Sequence, residues 1–328
     1  MPKKKIVLYI RVYQGGDLWK KRYQHNSQYF DLFDEVIIRL GTCEMQQIDR
    51  DTIGIPPSNT RVIVQSPDFK EYNAIMGLDE SSCDYIFFLC HDDILQPEGT
   101  KEILDKLRNS EERIAFTGGL AWTGDDNLYP YRVRLGLPDE GVAPADFFLM
   151  DSVFSFPFNL SGIAVPVDTV LEGAICQIAL LSYNLGHRAD SMYFISDKID
   201  RIYENKNISV LIYQHSGQAG KIKIDHIREA SNCAYFLIAA LIFRRREVYA
   251  YSSRKILFLL RRSPYGVFLG LVRTFKVVYQ RGIRLSDLVV LTKVFVLVTL
   301  LGSRKVHKLA KGRLGFRVSK PLNLDLTT

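Results

Sequence analysis

Three polar side chains, His91, Asp92 and Asp93, follow directly on an apolar, aromatic-rich run, Tyr85-Ile86-Phe87-Phe88-Leu89-Cys90. The run has the length and composition of a buried strand, which Cys90 can extend. Ile94-Leu95-Gln96-Pro97-Glu98 then leads into a helix, with Pro97 suited to its first turn. Two adjacent carboxylates at the end of a strand stand at the carboxyl edge of a sheet, where open α/β sheets bind ligands. Oxygen ligands there suit a hard divalent cation, Mg²⁺ or Mn²⁺, which would in turn hold a diphosphate. Alternatively, Asp92 and Asp93 only open a turn or cap the next helix.

The elements needed to position such an edge are present. Ile6–Ile10 is a β-branched first strand, and Arg11 to Asp17 is a loop. Leu18 to Phe33 has helical character. Strands are predicted at Glu35–Leu40, closed by Gly41, and at Arg61–Gln65. A helix is predicted over 71–77, a second helix continues over 101–107, and a strand over 114–117 precedes Gly118-Gly119. Strands alternating with helices in this rhythm specify an α/β fold with a mostly parallel sheet. From Trp122 to Phe158 the pattern blurs; Pro130, Pro138, Pro144 and Pro157 indicate long loops or a lid. Further on, 159–166 reads as a strand and 168–183 as a helix. His187-Arg188-Ala189-Asp190 begins another short helix, which runs to about Ser196. Ile199–Tyr203 and Val210–Tyr213 read as strands, and His215 opens a polar glycine loop ending at Lys221.

After about Ile224 the composition changes. From Asp225 to Thr328 there are 20 Lys and Arg against 5 Asp and Glu, while the rest of the chain is net acidic. Apolar helical segments such as 234–243, 256–260 and 288–301 are flanked by Arg and Lys, and none reaches the length of a spanning helix. Helices lying in a bilayer interface fit, with each basic residue contributing about 1 kcal/mol near anionic headgroups. The alternative is a basic bundle packed on the body, or one that binds nucleic acid; the long apolar runs favour lipid over nucleic acid. The division expected is a catalytic domain at 1–222 and a basic, amphipathic, membrane-associating helical region at 223–328. The five cysteines form no CxxC pair and no metal spacing, as expected of reduced thiols in the cytosol. The basic start and its short apolar run do not make a signal sequence.

With these elements in order, residues 5 to 221 resemble a family 2 glycosyltransferase of the GT-A (nucleotide-diphospho-sugar transferase) fold, of the bacterial surface-polysaccharide type. Four stretches carry the resemblance: Ile6 to Gln14, Tyr72-Asn73-Ala74 with Gly77-Leu78, Tyr85 to Pro97 as the DxD segment, and Asn159-Leu160-Ser161-Gly162. The resemblance implies transfer of a sugar, with inversion, from a nucleoside-diphosphate sugar to a hydroxyl of a glycan acceptor, in a polyprenyl-linked form, at the cytoplasmic face of the membrane. It implies donor contacts from Val12, Tyr13, Asn73, His91, Asp92 and His215, and a divalent cation on Asp92 and Asp93. The family's base is an acidic residue at the start of a helix with a His further along. Asp190, with His215 following, suits that arrangement, and Glu172 is the runner-up.

Beside Gly217 and Gly220, His215 could reach the diphosphate or the metal; otherwise it is a hydrogen-bonded loop residue. Arg188 and Lys221 are further diphosphate partners to consider. Asp190 could equally be a helix N-terminal charge beside Arg188. Two departures stand out: Cys90 replaces the first Asp of DxD, and Arg39-Leu40-Gly41 stands where an Asp that helps bind the base is usual. Two other readings remain open. One is a sugar nucleotidyltransferase, for which Gly15-Gly16 with Lys20-Lys21 is a faint nucleotide loop. The other is a non-catalytic membrane- or nucleic-acid-binding protein on the same fold.

Overall fold

A computed structural model gives the fold. It describes residues 3–12, 15–41, 46–64, 83–118, 120–124, 131–132, 134–150, 153, 160–171, 190–214, 226–243 and 245–280. The chain forms two compact units. The first comprises Met1–Pro144, Pro157–Leu171 and Ser196–Gln218; the second comprises Ala145–Phe156, Glu172–Ile195 and Ala219–Thr328.

The first unit is built on β1 (Ile6–Val12), which lies between β2 (Glu35–Leu40) and β4 (Tyr85–Cys90), parallel to both. β3 (Thr60–Val64) extends the sheet beyond β2. On the other side β9 (Ala164–Pro166) runs antiparallel to β4 and to β6 (Ile114–Phe116), and β10 (Arg201–Tyr203) pairs parallel with β6. The seven-stranded order is β10-β6-β9-β4-β1-β2-β3. Residues Ile6 to Ile10 and Ile86, Phe87 and Leu89 are fully buried, so both faces of the central strands are covered. Tyr9 meets Phe88 edge-on, with ring centroids 5.9 Å apart. A second sheet has the order β5-β11-β7-β8, made of Ile94–Leu95, Val210–Gln214, Leu120–Gly124 and Tyr131–Arg132.

Three helices of this unit matter for the site. α1 (Gly16–Asn26) buries Trp19, Tyr23 and Asn26 along one face and passes into a 3-10 turn at Ser27–Leu32. α2 (Gln46–Ile53) buries Asp49 and Ile53. α3 (Pro97–Asn109) starts on Pro97 and buries Gly99, Thr100, Ile103, Leu104 and Leu107, an apolar stripe at helical spacing. Its first turn is fastened to the entry of β11. Gln96 N–H and Thr100 Oγ1 donate to Ser209 O at 2.8 and 3.1 Å, and Asn205 Nδ2 donates to Gly99 O at 2.8 Å.

Among the described residues the expected strands β1 to β4 and the helices α1 and α3 are present, and α2 adds a helix between β2 and β3 that the sequence pattern does not predict. The helical character read over 18–33 is α-helical to Asn26 and 3-10 from Ser27 to Leu32. Two differences follow from local geometry. The strand read over 159–166 is confined to Ala164–Pro166, because Leu160 to Ile163 forms a turn with Gly162 at φ +85°. Part of the stretch read as long loops is the strand pair β7 and β8, with Trp122 registered to Tyr131. The helix read over 71–77 lies outside the described residues.

The second unit holds α4 (Pro144–Phe147, whose first residue belongs to the first unit), a 3-10 helix at Asp190–Ile195, and three long helices: α6 (His226–Phe243), α7 (Arg246–Arg262) and α8 (Pro264–Gln280). (α5, Val167–Leu171, belongs to the first unit.) An aromatic cluster binds the second unit together: Phe147 against Phe194 at 5.3 Å, Phe148 against Tyr251 at 5.2 Å, and Tyr251 against Phe236 at 5.9 Å. No helix among the described residues is long and apolar enough to cross a membrane.

Candidate active site

The parallel strands β1, β2 and β4 end level with one another. Arg11 registers with both Cys90 and Arg39, and Val12 with Leu40. Asp92 and Asp93 therefore stand at the carboxyl edge of the sheet, in the turn between β4 and β5. His91 N–H donates to Arg11 O at 3.1 Å, which carries the β4–β1 ladder one residue beyond the strand. Val12 is buried, and its carbonyl accepts from Gly41 N–H at 2.8 Å.

The two carboxylates differ sharply. Asp93 is 1% exposed. Its Oδ2 accepts from Ser161 Oγ at 2.5 Å and its Oδ1 from Tyr213 N–H at 3.0 Å. Ser161 Oγ in turn accepts from Cys90 N–H at 2.7 Å. A buried carboxylate is tolerated because both oxygens are satisfied. Asp93 thus ties the end of β4, the turn before β9 and strand β11 into one unit. Asp92 is half-buried. Its carbonyl accepts from Arg22 Nε at 3.2 Å, while the Arg22 guanidinium lies over the Tyr213 ring, 4.6 Å from its centroid.

Helix α1 supplies the rest of the support. Arg22, His25 and Asn26, three and four residues apart, lie on one face. Asn26 is fully buried; its Nδ2 donates to Asp93 O at 3.0 Å and its Oδ1 accepts from Leu95 N–H at 2.9 Å. The backbone of the 92–95 turn is therefore held by side chains on a rigid helix. The sequence reading assigns no role to Arg22, Asn26 or Tyr213, and treats Ser161 only as part of a strand. Their partners are distant in sequence, so no local pattern flags them.

Among the described residues, one sulfur and two carboxylate oxygens converge: the ligand atoms of Cys90, Asp92 and Asp93 all lie within 4.8 Å of one another. That spacing fits a single divalent cation, with a thiol where an oxygen ligand is usual. Both Asp93 oxygens are committed to hydrogen bonds within the fold.

At the opposite end of α1, the backbone N–H groups of Gly15 and Gly16 donate to Asp49 at 3.1 and 2.8 Å, and Trp19 Nε1 donates to Asp49 O at 3.1 Å. Asp49 is 1% exposed. A carboxylate of the chain itself therefore fills the anion position at this helix start. The faint nucleotide loop at Gly15-Gly16 is occupied internally, which disfavours the nucleotidyltransferase reading.

The remaining predicted residues are only partly visible. Asp190 opens its 3-10 helix in the second unit, where Arg245 Nη1 donates to the Ile195 carbonyl at the other end of that turn. The side chain of Asp190 and the residues Tyr13, Asn73, Glu172, Arg188, His215 and Lys221 lie outside the described residues.

The chain is similar to S. aureus TarS 1–349 in complex with UDP-GlcNAc, with a TM-score of 0.51 over 79% of this chain and 73% of that one, at 9% identity. The fold is of the GT-A type. Two further structures of the same protein are also similar. TarS 1–349 alone gives a TM-score of 0.45 at 11% identity over 94% of this chain and 87% of that one. Its complex with UDP gives 0.44 at 11% over 85% and 92%. No family model matches the chain, and no curated protein matches it. In this GT-A sheet, the antiparallel strand β9 lies between β4 and β6, and the turn that precedes it delivers Ser161 to Asp93.

Proposed function

We propose that the protein is a glycosyltransferase that moves a sugar from a nucleoside-diphosphate sugar to a hydroxyl of a glycan acceptor. The observation that carries this reading is the convergence of Cys90, Asp92 and Asp93 at the carboxyl edge of a GT-A sheet. Its similarity to a structure that holds UDP-GlcNAc supports a sugar nucleotide as donor. Val12, Tyr13, Asn73, His91 and His215 are the further donor contacts this reading assigns.

In the reaction proposed, Asp190 takes the proton of the acceptor hydroxyl. The hydroxyl oxygen forms the new bond to the anomeric carbon as the bond from that carbon to the diphosphate oxygen breaks. The electron pair leaves with the nucleoside diphosphate, and attack opposite the leaving group inverts the centre. A base in this position contributes about 10²–10⁴-fold. Asp92, with the Cys90 thiol and Asp93 beside it, would hold a divalent cation that neutralises charge on the leaving diphosphate. Asp93 and Asn26 keep the turn carrying Asp92 in one geometry.

The acceptor proposed is a polyprenyl-linked glycan, and the place of action the cytoplasmic face of the membrane, with the protein peripheral. The 20 basic against 5 acidic residues from Asp225 to Thr328 support an anionic membrane surface as partner. Release of nucleoside diphosphate from a panel of sugar nucleotides in the presence of Mn²⁺ tests the enzymatic reading. Turnover of at least one donor is expected; silence across the panel, with no donor binding, would point to the non-catalytic alternative.

A further inference from the structure

Helix α8 packs in an unusual sense. Its inward residues are small: Ser263, just before it, and Gly266, Val267 and Gly270 are buried. A Cβ on Gly270 would lie 2.5 Å from Ala230 O and 2.7 Å from Cys233 Cβ, so only glycine lets α8 approach α6 this closely. Its large apolar residues point the other way. Tyr265 and Phe268 are 59% and 60% exposed, and Leu271 and Val272 are 46% and 51% exposed. Tyr265, Phe268 and Val272 recur at i, i+3 and i+7, one continuous face. At the end of α7, Phe258 is half exposed and Arg261 and Arg262 are exposed. A helix of a water-soluble bundle would put the aromatic stripe inward and polar residues outward.

Charge decides what covers this face. From Arg246 to Gln280 there are seven Lys and Arg, with Glu247 the one acidic residue. A second copy of the chain would bring the same cations against each other. The segment 281–328 carries ten Lys and Arg against two Asp and shares the preference for an anionic partner. A second copy is electrostatically opposed, whereas an anionic bilayer matches the arginines and accepts the aromatic and aliphatic stripe.

We infer that the outward face of α8, Tyr265, Phe268, Leu271 and Val272, with Phe258, Arg261 and Arg262 at its approach, docks the protein on an anionic lipid surface. The helix lies in the interface plane, with the aromatic side chains below the headgroups and the guanidinium groups among them. The inference rests on the membrane partner proposed above and specifies which surface makes the contact.

Sedimentation of the full-length protein with vesicles tests it. The vesicles are phosphatidylcholine alone, or phosphatidylcholine mixed equally with phosphatidylglycerol. The wild type is expected to bind the mixed vesicles in preference. The double variant Phe268→Ser/Leu271→Ser is expected to lose at least about tenfold in partitioning, with its melting temperature unchanged because both side chains are exposed. Arg261→Gln/Arg262→Gln is expected to lose the preference for the anionic lipid. Wild-type binding retained by both variants overturns this surface while leaving a membrane partner in place. A wild type that ignores both vesicles overturns the membrane partner too. A dimer in light scattering that the serine variant abolishes, with vesicle binding unchanged, overturns the lipid in favour of self-association.

Discussion

The hydroxyl of Ser161 donates to Asp93 Oδ2 at 2.5 Å while accepting the backbone N–H of Cys90 at 2.7 Å. One side chain thus couples the last residue of β4 to the second carboxylate of the turn. Loss of a hydrogen bond to a buried charge costs about 1.5–3 kcal/mol. Ser161→Ala should therefore lower the melting temperature by several degrees and weaken donor binding, since the turn that carries Asp92 loosens. Thermal unfolding together with KM for the donor checks this; an unchanged melting temperature would show that the relay carries no stability.

Asp92 and Asp93 should separate in mutagenesis. Asp92→Ala removes a half-buried carboxylate and should cost less stability than Asp93→Ala, whose carboxylate is 1% exposed, with turnover at least about 10²-fold lower. Asp93→Ala leaves the Ser161 hydroxyl and the Tyr213 N–H without their buried acceptor, and should destabilise by about 3 kcal/mol or more. Equal effects on stability would contradict the division of labour drawn between them.

The thiol beside the carboxylates makes cation preference informative. A chelator should abolish turnover and Mn²⁺ should restore it better than Mg²⁺, because a sulfur ligand suits the harder ion less. Cys90→Asp should narrow that gap. The Mn²⁺-induced shift in melting temperature provides a readout independent of activity, and an unaltered Mg²⁺-to-Mn²⁺ ratio in Cys90→Asp would remove the thiol from the site.

In the second unit, burial and then the neighbouring Arg254 push the Lys255 ammonium down to about 8 from its usual 10.5. Below pH 8 the lysine is charged in both folded and unfolded chains, and the penalty for burying it is fully present. Between pH 8 and 10.5 the unfolded chain binds more protons, so stability rises with pH. Lys255→Met should be the more stable protein at pH 7, with an advantage that shrinks towards pH 10.5. A constant difference across that window in denaturant titrations would contradict the assignment.

The sequence was most legible where burial is symmetrical. Ile6 to Ile10 and Tyr85 to Leu89 are covered on both faces, so their apolar runs have no other reading. It was least legible where a fold contact overrides composition. Trp122-Thr123-Gly124 opens the stretch that looks like loops, yet with Leu120 and Ala121 it pairs with β11 through residues about ninety positions away. α2 carries only Ile48 and Ile53 as apolar residues and is anchored by the buried Asp49, a polar contact without hydrophobic period. Adjacency in sequence makes Asp93 a second metal ligand beside Asp92. Its partners Ser161 and Tyr213 lie 68 and 120 residues away, and only the assembled sheet reveals them. The helical character after Asp225 was legible from composition, but which face of α8 is outward depends on the close approach at Gly270.

Asp190 remains the base to test by removal. Asp190→Asn keeps the shape of the side chain and should lower transfer about 10²–10⁴-fold while leaving donor-induced stabilisation in place. Normal transfer in this variant would pass the role to Glu172.

The most direct measurement of the central claim is release of nucleoside diphosphate from a panel of sugar nucleotides with Mn²⁺, in wild type and Asp92→Ala side by side. Glycosyl transfer predicts turnover of at least one donor by the wild type and its loss in Asp92→Ala, with both proteins folded. Equal turnover in the two, or a wild type that neither binds nor cleaves any donor, would contradict it.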